Sequence, residues 1–267
     1  MLRSLKDLEG YGVSATDGDI GKVVDFLLDD EQWIIRYLVV NTGSWLNDRE
    51  VLISPASFRK IEWANRFFHL ALTKEKIRDS PGTSTDLPVS RQHERDHFQY
   101  YGYPCYWGSS GIWYLPVGPL AMAMAPDGAQ QAPATADDDV HLRSAKSVRG
   151  YHIQGSDEEI GHVEDFIVDD ETWAIRYLVV NTSNIWFGKK VLVSPLWALD
   201  ISWEDKRVRL GLSRDKIKQS PEWLPEAPVN RAYEERLFDY YGHPVYWDRA
   251  DEPVDSLAQT TLKGHQR

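Results

Sequence analysis

The strongest constraint on the fold of this 267-residue chain is an internal duplication. The segment 3–107 aligns without a gap to the segment 143–247, and about 46 of the aligned positions are identical. Two copies that share this many residues share one fold, because each copy must bury the same apolar positions. Residues that are apolar in both copies are therefore expected in the core, and those that change freely are expected at the surface.

Each copy has the composition of a series of short β-strands rich in β-branched and aromatic residues. In the first copy the predicted strands are 20–28, 33–40, 51–55, 61–63 and 68–72. Strict alternation along 33–40 predicts that Ile35, Tyr37 and Val39 point to one face, opposite Arg36. Five or six short strands separated by turns predict a mainly β unit, either a small antiparallel barrel or a sandwich.

The spacing of apolar residues becomes helical after the last strand of each copy. The predicted elements are short capped helices at 73–77 and 213–217 and amphipathic helices at 91–102 and 231–242. Phe98 and Tyr101 recur at helical spacing, so we expect them to lie on the sheet.

The composition divides the chain into four parts. They are a first repeat at 1–107, a flexible linker at 108–139, a second repeat at 140–247 and a polar tail at 248–267. A gapless duplication predicts that the repeats pack about a pseudo-twofold axis, as an intramolecular version of a homodimer. Whether the whole chain also forms a homo-oligomer stays open.

Charge and cysteine content indicate the compartment and exclude some partners. The formal net charge of −11 disfavours nucleic acid, which requires clustered Lys and Arg. Cys105 is the only cysteine, which is typical of a reducing cytoplasm. The N-terminus lacks the apolar core of a signal peptide, and the apolar stretch 115–126 is too short to span a bilayer. We therefore expect a cytoplasmic protein without a transmembrane segment.

Several strand patterns together resemble those of the PRC-barrel family. They are Gly21-Lys22-Val23-Val24-Asp25-Phe26, the acidic turn 29–31, the strand 36–40, Leu52-Ile53-Ser54-Pro55 and the apolar residues Ile61, Leu70 and Leu72. The resemblance implies two tandem small antiparallel β-barrels, each with accessory short helices. It further implies a structural or adaptor module, generally without enzymatic activity. Known members include the cytoplasmic domain of the photosynthetic reaction-centre H subunit and a domain of a ribosome-maturation factor.

The first candidate site is the carboxylate set of Asp25 and the turn 29–31, repeated at Asp165 and 169–171. Clustered oxygens suit a hard cation such as Ca²⁺, but the regular ligand spacing and glycine of a Ca²⁺ loop are missing. We therefore assign no metal and expect a solvated turn. Asp25 is expected to pair with Arg36 or to cap backbone amides. In the second copy Asp165 and Arg176 take the same structural roles.

The second candidate is the aromatic cluster that closes each copy. Its rings either form a cage or stacking platform for a ligand, or seal the helix onto the barrel. The second interpretation is favoured, since the rings directly follow a helix whose apolar face needs a cover. The residues to which we assign this structural role are Tyr101, Trp107, Tyr241 and Trp247.

Catalytic residues are not indicated. None of the eight histidines has a histidine at the equivalent position of the other copy, and Cys105 faces Val245. From the sequence we assign neither a nucleophile elbow nor a phosphate loop, and we assign no histidine-carboxylate metal motif. We therefore assign no catalytic, cofactor-binding or metal-binding residue and expect a protein that is not an enzyme.

The third candidate is a loop that differs between the copies. It carries Trp45 and Leu46 in the first copy and Ile185, Trp186 and Phe187 in the second. Exposed apolar side chains with a polar rim suggest a partner site, whereas the alternative is that they plug a barrel end or pack one barrel on the other. We predict a non-catalytic cytosolic interaction module that binds an unidentified protein partner. A small-ligand or metal-binding sensor is the alternative, and an accessory factor of a photosynthetic, electron-transfer or ribosome-maturation assembly is implied only by the resemblance.

Overall fold

The computed structural model describes residues 1–81, 89–103, 140–182 and 188–247. This part of the chain is mainly β and forms two sheets, one for each sequence repeat. The mainly β prediction is therefore confirmed. The predicted linker and the polar tail lie outside the described residues.

The first repeat contains eight strands and three α-helices among its described residues. The strands are β1 (Leu2–Ser4), β2 (Gly12–Ala15), β3 (Gly18–Asp29), β4 (Ile34–Asn41), β5 (Glu50–Ile53), β6 (Phe58–Glu62), β7 (Phe67–Leu70) and β8 (Val89–Ser90). The helices are α1 (Leu5–Leu8), α2 (Lys74–Arg78) and α3 (Arg91–Tyr101). Both predicted helices of this repeat are confirmed. Their positions follow the Thr73 cap of α2 and the left-handed Gly102 that follows α3.

The second repeat follows the same order. Its described strands are β9 (Val140–Ser144), β10 (His152–Gln154), β11 (Glu159–Asp169), β12 (Ile175–Asn181), β13 (Lys190–Val193), β14 (Ala198–Ser202) and β15 (Arg207–Leu210). The helices are α4 (Ala145–Val148), α5 (Arg214–Gln219) and α6 (Arg231–Tyr241).

The two sheets have the same strand order, β5-β4-β3-β2-β7-β6 and β13-β12-β11-β10-β15-β14. Most neighbours are antiparallel, but β2 pairs parallel to β7 and β10 pairs parallel to β15. The prediction of purely antiparallel units is therefore wrong at one pair in each sheet. Strand β7 pairs with β2 only after the chain has formed β3 to β6, and it runs in the same direction as β2.

Each sheet also contains a strand from the other repeat. Strand β1 pairs antiparallel with β11, and β9 pairs antiparallel with β3. The registers correspond, because Ser4 lies opposite Ile167 while Ser144 lies opposite Leu27. This reciprocal exchange is an isologous arrangement of two similar units within one chain. We call the contact region formed by β1, β9 and the residues they touch the inter-repeat seam.

A β-bulge in β4 changes the predicted alternation of side chains. Leu27 pairs with Tyr37 and Leu28 pairs with Ile35, so Arg36 is the additional residue of the bulge. Ile35 therefore packs in the main core, whereas Tyr37 packs in a second cluster on the other side of the sheet. The prediction that these two side chains share a face is wrong, because the inserted residue moves the side chains that follow it to the opposite face of the sheet.

The main core continues from one repeat into the other. Trp33 and Trp173 both adopt a left-handed backbone conformation at the turns that lead into β4 and β12. The ring of Trp173 packs edge-on against Phe58 at 5.4 Å and lies 6.1 Å from Phe68, so a side chain of the second repeat fills the core of the first. Buried residues of both repeats consequently belong to one main cluster.

A smaller cluster lies between the first sheet and α3. Phe98 is buried there, as predicted, together with Leu27, Tyr37, Val39, Leu52 and Leu142. Leu142 belongs to the exchanged strand β9, so the second repeat also contributes to this cluster. Helix α3 is thus held by residues of both repeats.

Candidate functional site

Asp25 lies at the inter-repeat seam and binds the exchanged strand. Its carboxylate accepts hydrogen bonds from the hydroxyl of Ser144 at 2.5 Å, the amide of Lys146 at 3.1 Å and the amide of Phe26 at 2.8 Å. Ser144 is the N-cap of α4, so the carboxylate also faces the first amides of that helix. The predicted capping of backbone amides is confirmed. The predicted pairing with Arg36 is wrong, because that side chain faces the acidic turn.

Asp165 makes the reciprocal contacts on the other side of the seam. It accepts from the hydroxyl of Ser4 at 2.5 Å and from the amide of Lys6 at 3.1 Å. Burial raises the pKa of both carboxyls, Asp25 and Asp165, while the serine and amide hydrogen bonds act in the opposite direction. Both residues therefore fasten the N-terminus of a short helix that arrives from the other repeat.

The acidic turn is an ion-pair site rather than a solvated loop. Asp29 is completely buried and binds Arg36 at 3.1 Å, and Asp169 binds Arg176 at the same distance. Asp29 also accepts the amides of residues 31 and 32, which closes the turn. The expectation of a solvated turn is wrong here, because the bulge turns the guanidinium of Arg36 back onto the turn.

The next carboxylate of the turn reaches the exchanged strand. Asp30 binds Arg143 at 2.9 Å, and Asp170 binds Arg3 at 2.6 Å. The same arginines stack on tryptophans, with Arg3 lying 3.7 Å from the ring centre of Trp63. Within the described ranges, no group of three His, Cys, Asp or Glu side chains is placed to hold a metal ion.

Backbone hydrogen bonds complete the seam where β4 and β12 begin. The amide of Ile35 donates to the carbonyl of Trp173 at 2.8 Å, and the amide of Ile175 donates to the carbonyl of Trp33 at 2.7 Å. The seam residues that occur identically in both copies are Arg3, Ser4, Lys6, Asp25, Asp30, Trp33 and Ile35 with their counterparts. These seven identical positions therefore serve to join the two copies.

The aromatic cluster of the second repeat surrounds a buried carboxylate. Glu234 on α6 accepts hydrogen bonds from the hydroxyls of Tyr177 and Tyr246, each at 2.8 Å. Arg231 lies 3.8 Å from the ring centre of Trp247, so the chain's own guanidinium occupies the position that a cationic ligand would take. The arrangement attaches the segment that follows α6 to both the helix and the sheet.

The remaining aromatic residues of these clusters lie against the helices. Tyr241 is buried against Trp197 at 4.8 Å between ring centres. The ring of Tyr101 packs on that of His97, with 4.6 Å between the ring centres. Burial raises the pKa of the Tyr101 phenol to about 12. Trp107, to which a structural role was also assigned, lies outside the described residues.

The candidate partner-binding loop begins with a 3₁₀ turn at Gly43–Leu46. Trp45 is half-buried; its indole N–H donates to the carbonyl of Ile20, and the ammonium of Lys74 lies 4.5 Å from its ring centre. Leu46 is also half-buried against the main core. Ile185, Trp186 and Phe187 lie outside the described residues, so partner binding by either loop stays a prediction.

Two exposed leucines form a surface feature that the sequence patterns did not single out. Leu196 and Leu199 are 71% and 69% exposed, and they flank the half-buried Trp197. The equivalent positions of the first repeat carry Ala56 and Arg59. Comparing the copies position by position would have shown this difference, but strand periodicity alone does not separate an edge position from a core position.

A second feature that was missed is the sequence His93-Glu94-Arg95-Asp96-His97 on α3, which fits the pattern His-Glu-x-x-His. Comparing single histidines with the other copy obscured the pattern, although the spacing itself is visible. His97 is 2% exposed, and its Nε2 lies 3.0 Å from the carbonyl oxygen of Leu52. Burial lowers the pKa of His97 to about 4, so its ring is neutral at neutral pH.

The helices of the described residues are all too short or too polar to cross a membrane.

Comparison with known proteins agrees with the two-repeat architecture. The chain matches the PRC-barrel domain over residues 2–65 and again over 141–214, which together make up just over half of its length. A protein from Deinococcus radiodurans described as uncharacterized is 37% identical over 83 residues, which cover 31% of this chain and 28% of that relative. With two matches that coincide with the two sheets, the chain belongs to the PRC-barrel domain family and contains that domain twice.

Proposed function

We propose that this chain is a non-catalytic, cytoplasmic structural module that binds a protein partner through its outward loops. In this proposal each sheet curls into a small barrel, and the Gly43–Leu46 turn covers one barrel end while presenting the outer edge of Trp45. The seam holds the two barrels as one unit.

The observation that supports this proposal is the placement of Trp45. Its indole N–H is anchored on the carbonyl of Ile20 and one ring face is covered by Lys74, yet the side chain remains half-exposed. A large aromatic ring that is already immobilised loses little conformational entropy when a partner covers it. Such rings are frequent anchors in protein interfaces.

The contrast between seam and loop also supports a role in binding. The seam residues Arg3, Ser4, Asp25 and Asp30 are identical in the two copies, whereas Trp45 and Leu46 are replaced by Ile185 and Trp186. The polar bonds that each copy makes reciprocally with the other require the same residues in both copies. The loops are released from that requirement, so they are free to recognise a partner.

The carboxylates with the most unusual surroundings favour a non-catalytic role. Asp25, Asp29 and Asp30 each bind groups of the protein itself, and two of these bonds cross the seam. Removing any of them would leave buried donors without acceptors. This use in holding the fold together leaves them poorly suited to general acid–base chemistry.

The test is affinity capture from the native cell with full-length protein, comparing wild type with the double variant Trp45→Ala, Trp186→Ala. We expect the double variant to lose the captured partner while its Tm stays within a few degrees of wild type. The matched control is Trp63→Ala, which removes a half-buried tryptophan from the seam and should keep the partner at low temperature. A large loss of Tm in the double variant, or unchanged capture, would contradict the proposal.

A further inference from the structure

We propose that His93 and His97 of α3 form a binding site for a divalent transition-metal ion such as Zn²⁺. The site lies on the helix that covers the first sheet. It is independent of the partner-binding function, because it shares no residue with the loop of Trp45.

The first argument is the orientation of the His97 ring. A carbonyl oxygen only accepts hydrogen bonds, so the 3.0 Å contact between Nε2 and the carbonyl of Leu52 places the ring proton on Nε2. Nδ1 then carries the free lone pair. Histidine metal ligands characteristically donate their second ring N–H to a carboxylate or a backbone carbonyl in this way, which fixes the tautomer and the direction of the lone pair.

The second argument is that the Nδ1 lone pair has no acceptor role in the described part of the chain. The atom is buried and makes no hydrogen bond with any described residue. The His97 ring packs against the rings of Tyr37 and Tyr101, whose centres lie 4.9 Å and 4.6 Å from its own centre. A buried acceptor without a partner is unfavourable, so a bound cation at Nδ1 would remove a cost that the apoprotein bears.

The third argument is the position of His93. It lies four residues before His97 and therefore on the same face of the helix, one turn away. Residues at this spacing on a helix have their Cβ atoms about 5–6 Å apart, so the two imidazoles are neighbours. His93 is half-buried, which gives an ion a route to the site from solvent.

The fourth argument is the comparison with α6, where the same fold is built without these histidines. Tyr233 replaces His93 and Leu237 replaces His97, while the glutamate between them is retained as Glu234. Leu237 is fully buried, and the hydroxyl of Tyr233 donates to the carbonyl of Pro221 at 3.1 Å. Packing of the helix on the sheet therefore does not require a histidine at either position.

The ligand chemistry indicates the class of metal. Neutral imidazoles suit Zn²⁺, Cu²⁺ and Ni²⁺ rather than Ca²⁺ or Mg²⁺. Two protein ligands leave coordination positions for water, so binding should be weaker than at a four-ligand structural zinc site.

The test is calorimetric titration of Zn²⁺ into EDTA-treated, full-length protein that carries no polyhistidine tag, at pH 7.5. We expect one equivalent of Zn²⁺ to bind and to raise the Tm. His97→Leu and His93→Tyr introduce the residues found in the second repeat. Each variant should raise the Kd for Zn²⁺ at least about tenfold, which corresponds to the loss of one modest ligand interaction.

The control is His162→Lys, which introduces the residue of the first repeat at a histidine outside the site and should bind Zn²⁺ like wild type. Melting curves establish that each variant is folded, and Leu237 already shows that leucine fits at the equivalent position of α6. Absence of binding by wild type would overturn the proposal and leave Nδ1 as a water acceptor. Equal binding by wild type and His97→Leu would also overturn it.

Discussion

Ser144 donates its hydroxyl to the carboxylate of Asp25 at 2.5 Å, and these two residues are 119 positions apart in different repeats. The same bond occurs in the other direction between Ser4 and Asp165. Each repeat therefore supplies one aspartate that accepts hydrogen bonds from the N-terminus of a helix in the other repeat. The two halves depend on each other for a satisfied helix N-terminus, which explains why neither sheet is built from a single continuous half of the chain.

Removing one of these carboxylates should destabilise the whole protein. Asp165→Ala leaves the hydroxyl of Ser4 and the amide of Lys6 without their acceptor, and we expect the free energy of unfolding to fall by about 1–3 kcal/mol. Urea denaturation followed by circular dichroism measures the change. The control is the exposed Asp19→Ala, which should alter the free energy by less than about 0.5 kcal/mol. Equal stability of the two variants would mean that the seam hydrogen bonds contribute nothing.

The two repeats should unfold in a single transition, because Trp173 of the second repeat packs against Phe58 and Phe68 of the first. Scanning calorimetry should give equal calorimetric and van't Hoff enthalpies for the whole chain. Trp173→Ala should lower the free energy of unfolding by about 3–5 kcal/mol, since it opens a cavity in a shared core. The exposed Leu199→Ala is the matched control and should change it by less than about 0.5 kcal/mol. Two separate transitions in the wild type would contradict a shared core.

His97 should make the apoprotein less stable in mild acid. Its pKa is about 4 in the folded protein and 6.5 without burial, so between these values the unfolded chain binds a proton that the folded chain does not. The free energy of unfolding should therefore fall as the pH drops from 6.5 to 4, by about 3 kcal/mol, and level off below that range.

The variant His97→Leu separates the effect of His97 on stability from the effect of carboxyl groups whose pKa values are raised. Asp25 and Asp165 have raised pKa values, and they are present in both proteins, so they cancel in the difference between variant and wild type. Urea midpoints measured from pH 7 to pH 4 in the presence of EDTA should diverge between the two proteins. Parallel curves would show that the His97 ring gains its proton in the folded state without cost.

The sequence by itself determined the duplication, the mainly β class, the positions of the helices α2, α3, α5 and α6, and the resemblance to the family. These features depend on residues that are near one another in the chain. The capping residue of α2 and the glycine after α3 are examples. Local rules of this kind are sufficient to place an element but not to choose its neighbours.

Only the tertiary structure decided whether each seam residue binds a residue of its own repeat or of the other repeat. Ser4 could bind Asp25 of its own repeat or Asp165 of the other, because an aspartate occupies the same position in both copies. The sequence therefore cannot distinguish pairing within a repeat from pairing between repeats. Only the path of the chain decides, by laying β1 against β11 and β9 against β3, and that path exists only once the two sheets have packed together. The bulge at Arg36 follows the same logic, because its guanidinium meets the buried Asp29 only after the register with β3 is set.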